Sequence, residues 1–402
     1  MSLPSNENKK KVNARYNLRP FNEAPSEIAG DYDFIEIPAI DLSEYEYGPR
    51  GLKSRQKLAE ELEKSVTGYG FFNLVGYGIT EEELSNMKSI GQSIFELSEE
   101  EKDKFLAGTK NFYQEKERDL GVIRGNGFKP KGYWTYADKT QDNVEFFNVR
   151  HFLHDDIFFN LLEYPEFVRN NLEEISAYFK YLQYHVLRKL LTLFDIILDI
   201  PEGTLWEKYF KVIEGDIVNS GGGFGRFIFY HEVDNKYDES TKGTWLRGHT
   251  DATALTFIIS QPILSLQIKD YKTGRWRYIR HNPNALIVNI GDAFQQLTGG
   301  YFRSSIHRVV TPPKEQRKYK RNTVIYFCDP SLTTYVDPES LQSPKLSRLN
   351  IISPPNAQKI TFSEWDEAKG KFFNTKDGAT RNQLLNFFGR DSIGSLIDNE
   401  GA

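Results

Sequence analysis

The spacing of apolar residues changes character along the chain, and each change predicts a different kind of element. Residues 34–42 read as a short strand. Leu52, Leu58, Leu62 and Val66 then recur at helical spacing with charges on the other face, so 52–68 reads as a helix that Gly68-Tyr69-Gly70 ends. Residues 71–75 form a buried strand candidate, completing a strand, helix, strand unit. Thr80-Glu81-Glu82-Glu83 has the capping-box form and opens a helix to about Leu97, and Ser98 can start a further short one. The clearest helical period runs over 167–198, through Leu172, Ile175, Phe179, Leu182, Val186, Leu190, Phe194 and Ile197, with Pro201 beyond its end. From about 215 to 330 the period shortens to runs of β type at 225–230, 255–259, 264–268, 276–278, 285–290, 306–310 and 323–327, parted by turn residues. Strands at that interval predict a sandwich or barrel, most simply a jelly roll. Further helices are expected from Ser363 and near 381–388.

The expected fold is therefore mainly β with flanking helices. Along the 402 residues it divides into a polar, period-free N-terminal arm (1–33), an N-terminal region (34–150), scaffold helices (151–214), a β core (215–330) and a C-terminal helical extension (331–402). The net charge of −5 gives no basic footprint for nucleic acid. No run approaches the roughly 20 apolar residues of a membrane helix, and the first residues lack an apolar signal region. A small-molecule partner, no membrane and a cytoplasmic or nuclear location are the expectations, with the oligomeric state left open. The single cysteine, Cys328, excludes an internal disulfide and a thiolate metal cluster. Any metal must be held by imidazole and carboxylate.

Two segments offer such ligands. In Arg247-Gly248-His249-Thr250-Asp251, His249 and Asp251 stand two apart on an extended segment and point to the same side, so both can reach one ion. His307, far along the chain, can come from another strand of the same barrel. Two imidazoles and one carboxylate on one face of an octahedron leave three open positions, as in non-haem iron(II) oxygenases. His-x-Asp alone is a weak signal, since His154-Asp155-Asp156 repeats it without turn chemistry or a matching strand-borne histidine. After His307, Arg321 and Thr323 alternate onto one side at the start of a strand, a guanidinium fork beside a hydroxyl that suits a buried carboxylate. The run Gly221-Gly222-Gly223-Phe224-Gly225 is followed by no helix that could seat a phosphate, and a mobile loop at a pocket mouth is expected there.

The block from Asn289 to Val309, with Gly291-Asp292-Ala293 and Ser304-Ser305-Ile306-His307-Arg308-Val309, resembles the distal-histidine segment of the isopenicillin N synthase-like family of 2-oxoglutarate and iron(II)-dependent dioxygenases, in a style similar to fungal members. Ile37-Pro38-Ala39-Ile40-Asp41, Gly70-Phe71-Phe72-Asn73-Leu74-Val75 and Leu97-Ser98-Glu99-Glu100-Glu101-Lys102 resemble that family's N-terminal domain. The resemblance covers about residues 34–330 in ordered blocks. It implies a double-stranded β-helix of cupin type, iron held by His249, Asp251 and His307, and 2-oxoglutarate and dioxygen as co-substrates. It places the family's Arg-x-Ser on Arg321 and Thr323. Arg317 has the shorter spacing from His307, but no strand follows it. The family's Asn-Tyr-Tyr-Pro segment falls on Ile228-Phe229-Tyr230-His231, which keeps one tyrosine, Tyr230, as a co-substrate contact. Tyr133, Trp134 and Phe327 fall where relatives have substrate-lining aromatics, and Cys328 is expected near that pocket without a part in the chemistry. The implied reaction is oxidation, in the simplest case hydroxylation, of a small molecule with release of succinate and CO2. Alternatives are a 2-oxoglutarate-independent oxidase or cyclase of the same family, and a non-catalytic sensor that keeps the fold.

Overall fold

A computed structural model describes residues 18–25, 30–107, 125–132, 143–231, 238–239, 241, 243–353, 355 and 357–374. Two sheets face each other. One has the strand order β1 (Phe34–Ile35), β10 (Trp276–Ile279), β9 (Leu266–Lys269), β12 (His307–Val310) and β7 (Thr244–His249). The other runs β2 (Ala39–Asp41), β3 (Phe71–Val75), β11 (Leu286–Ile290), β8 (Leu255–Ile259), β13 (Arg321–Asp329), β6 (Gly222–Tyr230), β5 (Val144–Arg150) and β4 (Gly127–Lys129). This is the expected jelly-roll core with helices outside it. The strand expected over 34–42 is two strands, one in each sheet, because Pro38 lies between them.

The larger sheet is covered on both faces, so most positions of its strands are apolar, and alternation assigns each side chain to a layer. On β13, Val324, Tyr326 and Cys328 pack outward among the helices, whereas Ile325 and Phe327 face the space between the sheets. On β6 the same alternation sends Phe227 and Phe229 outward and Ile228 and Tyr230 inward. Trp245, Leu266, Ile268 and Val309 of the smaller sheet close the inner cluster. Cys328 therefore faces away from the interior, one strand position too far for the pocket location expected of it.

The helices form where the apolar period placed them. Helix α1 (Leu52–Thr67) buries Leu58, Leu62 and Val66. Helix α2 (Glu81–Phe95) begins with a capping box in which the Thr80 hydroxyl and the Glu83 carboxylate each satisfy the other residue's backbone N–H. Residues 18–25 run beside α2, where Arg19 pairs with Glu96 and Glu23 with Lys88. The long scaffold helix α3 (Leu172–Ile197 overall) widens to π geometry over Leu182–Leu187. Gly225 corrects the reading of the glycine run. It lies inside β6, and a Cβ there would run into the Phe179 ring of α3, so glycine is needed for close helix-to-sheet approach and the segment is strand from Gly222 onward. A short helix, α4 (Asp292–Leu297), follows β11, and the C-terminal helix α5 (Phe362–Asn374) starts one residue before the expected Ser363. The helix expected near 381–388 lies outside the described residues.

Candidate active site

His249 ends β7 and His307 begins β12, and the two are direct cross-strand partners. Their rings lie 4.5 Å apart. The β7 partner of Val309 is Leu246, so β7 carries one extra residue opposite Arg308. Such a bulge bends the strand end and re-aims its side chain. Asp251 lies just beyond β7 rather than on it, yet it still reaches the same point. His249 Nε2 is 3.7 Å from Asp251 Oδ1, His307 Nε2 is 3.8 Å from Asp251 Oδ2, and one donor atom from each residue falls within 4.8 Å of the others. Among the described residues this is the one such cluster of potential metal ligands. His154, the rival, instead precedes the short helix Asp155–Asn160.

Each ligand is oriented by a neighbour. The Nδ1 atoms of His249 and His307 lie 2.8 Å from Arg247 O and 3.1 Å from Ser305 O. A carbonyl can only accept, so each Nδ1 carries the proton and each Nε2 presents its lone pair inward. Asp251 Oδ2 accepts hydrogen bonds from Thr256 Oγ1 at 2.7 Å and Asn289 Nδ2 at 2.9 Å. Burial alone would raise the Asp251 pKa; His307, His249, Asn289 and Thr256 outweigh it and bring the carboxyl down to about 2. Burial, with the neighbouring His307, lowers His249 to about 4. Both groups thus stand in the ligating protonation state at neutral pH, a neutral imidazole and a carboxylate.

The loop carrying these ligands is braced from the C-terminal helix. Lys369 of α5 forms a buried ion pair with Asp292 and donates to Thr250 O at 2.9 Å, while the Thr250 hydroxyl bonds Asp292 Oδ2 at 3.0 Å. Trp365 Nε1 donates to Ala252 O at 3.3 Å. The backbone on both sides of Asp251 is thereby fixed. Thr256, Asn289, Lys369 and Trp365 escaped the sequence reading. For Asn289 a signal existed, a lone amide in the apolar run Leu286–Ile290, whereas nothing marked Lys369.

Arg321 and Thr323 face the same interior from the start of β13, buried and on the inward positions of the alternation. The Arg321 guanidinium lies 4.3 Å from the Tyr230 ring centre, and its Nε and Nη1 are buried with no hydrogen-bond partner. A guanidinium so placed lacks an acceptor that a carboxylate would supply. A small cavity beside it is lined by Ser260, Gln261, Arg280, His281 and inner isoleucines. Arg317 is engaged elsewhere, with Asp238 at 2.8 Å and Pro312 O at 3.2 Å. Phe327 stacks on Phe224 at 4.7 Å inside the barrel. Tyr133 and Trp134 lie outside the described residues.

The metal donors and the unpaired guanidinium thus share one interior, and comparisons with known proteins point the same way. The 2OG-Fe(II) oxygenase superfamily matches residues 226–330, and the family described as non-haem dioxygenase in morphine synthesis N-terminal matches residues 37–167. A leucoanthocyanidin dioxygenase of Perilla frutescens is 28% identical over 353 residues, covering 85% of this chain and 84% of its own. The 2-oxoglutarate-dependent dioxygenase citB of Monascus ruber is 25% identical over 301 residues, 74% of this chain and 85% of its own. Among solved structures, a full-length Neurospora crassa protein in complex with alpha-KG and thymine superposes with a TM-score of 0.65 at 16% identity, over 82% of this chain and 94% of that one. The rice dioxygenase for auxin oxidation gives 0.57 at 18% identity, over 84% and 95%. At those identities the structural likeness speaks for the fold.

Proposed function

The chain belongs to the 2OG-Fe(II) oxygenase superfamily, whose members are oxidoreductases using iron(II), 2-oxoglutarate and dioxygen, and on that premise we propose that it hydroxylates a small organic molecule at a site built from His249, Asp251, His307, Arg321, Thr323 and Tyr230. The observation that carries this reading is the pairing, in one barrel interior, of three convergent metal donors with a buried arginine that lacks an acceptor. When bound, iron(II) and 2-oxoglutarate supply the oxidising power for C–H cleavage, with decarboxylation to succinate.

The chain's own residues do the rest. The two imidazoles, held by Arg247 O and Ser305 O, and Asp251, held by Thr256 and Asn289, would hold the metal, and as three ligands they would leave positions open for reactants. Arg321 and Thr323 take the distal carboxylate of 2-oxoglutarate, with the Tyr230 ring against the guanidinium. Thr323 stands four residues before Phe327, roughly 13 Å of strand, and Phe327 is the cross-strand partner of Thr256, which bonds Asp251. A five-carbon dicarboxylate gripped from that end can extend toward the metal. Ile228, Ile258, Ile287 and Ile325 keep the passage apolar and limit access of water to it. Described helices include none long and apolar enough to cross a membrane.

The test is release of CO2 from carboxyl-labelled 2-oxoglutarate, with iron(II), under air, across a panel of flavonoids, pyrimidines and organic acids. Iron-dependent release stimulated by a panel member that gains one oxygen is expected. His249→Ala should lose both release and iron binding, while Arg321→Ala should keep iron and lose 2-oxoglutarate affinity. Background release throughout the panel, or the reverse pattern in the two variants, overturns the reading.

A further inference from the structure

Within the dioxygenase reading, we propose that the primary substrate is an anion, a carboxylate carried on a flat apolar body, and that Arg226 receives that carboxylate. Arg226 lies on β6 between Gly225 and Phe227, which face outward, so its side chain enters the barrel with Ile228 and Tyr230. Its Nε donates to Asn148 Oδ1 at 2.7 Å. The guanidinium carbon is 4.8 Å from the Phe146 ring centre and 5.1 Å from those of Phe224 and Phe327. The β13 partner of Arg226 is Ile325, two residues before Phe327, and Phe327 pairs with the Thr256 that bonds Asp251. Burial lowers the Arg226 pKa to about 10, so it remains a cation at neutral pH.

This arginine is not treated as the chain treats its structural ones. Arg55, buried in the scaffold, has carbonyl acceptors at Glu46 and Gly48 and a carboxylate at Glu202. Arg317 has Asp238 and a carbonyl. Arg226 has one neutral acceptor on Nε, no hydrogen bond at Nη1 or Nη2, and no ion pair among the described residues. It is partly uncovered although it sits inside the barrel, so what it faces is the barrel's own space. A donor pair inside a barrel with no protein acceptor is the form expected of a group that takes a ligand.

Charge gives the sign of that ligand. A divalent metal, Asp251, doubly ionised 2-oxoglutarate and Arg321 together are formally neutral. The Arg226 cation then has no counter-charge, and a substrate carboxylate would supply it through two parallel N–H bonds. Shape gives the rest. Phe224 and Phe327 stack at 4.7 Å with 24° between their planes, and Phe146 stands on the other flank of the guanidinium. Their walls suit a planar apolar body attached to the anion.

The full-length protein, loaded with manganese(II) in place of iron and with 2-oxoglutarate so that nothing turns over, is titrated calorimetrically with benzoate, cinnamate and 2-naphthoate and with the primary amide of each. At least one acid should bind about 10- to 100-fold more tightly than its amide. Arg226→Gln should erase that preference, Arg226→Lys should keep part of it, and 2-oxoglutarate affinity should stay within about twofold in both. The urea midpoint of the metal-free protein, expected to be unchanged or higher in Arg226→Gln, checks the fold. Amides that bind as well as acids, an Arg226→Gln variant that keeps the preference, or a panel in which no acid binds overturns the proposal. Arg226→Gln weakening 2-oxoglutarate instead would make Arg226 a co-substrate residue, which overturns the proposal and leaves the dioxygenase reading intact. A wild type that binds neither manganese(II) nor 2-oxoglutarate overturns both.

Discussion

Replacing Lys369 by Met removes one half of a buried ion pair and leaves the other half in place. The side chains of Lys369 and Asp292 are 1% and 0% exposed, so solvent cannot take over the lost partner. At an effective dielectric near 20 and about 4 Å, the lost attraction is roughly 4 kcal/mol, and measured losses on breaking buried pairs run about 3–5 kcal/mol. The ammonium's bond to Thr250 O goes with it, loosening the backbone between His249 and Asp251. Urea unfolding of the metal-free protein, followed by tryptophan fluorescence, should show a loss of about 3–5 kcal/mol. Manganese(II) affinity should fall about tenfold, as when an outer contact to a metal site is removed. Adding Asp292→Asn should restore roughly half or more of the stability, because the stranded charge is then gone. A loss below about 1 kcal/mol, or a double variant no more stable than Lys369→Met, would refute the reasoning.

Thr256→Val and Asn289→Leu each strip one hydrogen bond from Asp251 Oδ2; a loss of about 10- to 100-fold in metal affinity is expected, and unchanged binding isotherms would show that Asp251 needs neither. His151 is half-buried, with its Nε2 enclosed and unpartnered, and is held at a φ of 61°, and burial, helped by Arg150, lowers its pKa to about 3 from an ordinary 6.5. The unfolded chain then binds a proton below pH 6.5 that the folded chain refuses until about pH 3, so stability falls with pH across that window. His151→Asn, which tolerates the left-handed backbone, should flatten the slope of unfolding free energy against pH by up to about 1.4 kcal/mol per unit between pH 6 and 4; identical slopes would mean that His151 titrates normally in the native protein.

Most of the barrel was legible because most positions of its larger sheet's strands are apolar on both faces and turn residues part them. The expected 323–327 run is the core of β13, and 255–259 is β8 to the residue. A boundary moved where glycine interrupts the apolar pattern, β6 beginning at Gly222 rather than at Gly225. Arg321 and Asn322 extend β13 ahead of its apolar run: Arg321 faces the interior with donors left open, whereas Asn322 faces the helices and donates to Lys88 O at 2.6 Å. The glycine run read as a loop since glycine usually marks one; only the Phe179 ring packed on Gly225 explains it as strand. The metal ligands were visible as His-x-Asp and a distant histidine, but the reason given held only in part: Asp251 lies past the end of β7, and its aim comes from Thr256, Asn289 and the braced backbone rather than from strand alternation. Lys369 was out of reach, since its partner Asp292 is far away in sequence and a lysine on an amphipathic helix ordinarily faces water.

The central claim is that one interior holds iron on His249, Asp251 and His307 and 2-oxoglutarate on Arg321. Anaerobic titration of the iron(II)-loaded protein with 2-oxoglutarate, read by visible absorption, tests it most directly. The account predicts a weak charge-transfer band that saturates at one 2-oxoglutarate and one iron per chain, is absent in His307→Ala, and in Arg321→Gln requires about 10- to 100-fold more 2-oxoglutarate. No band in the wild-type protein, or an Arg321→Gln variant that saturates at wild-type concentrations, would contradict it.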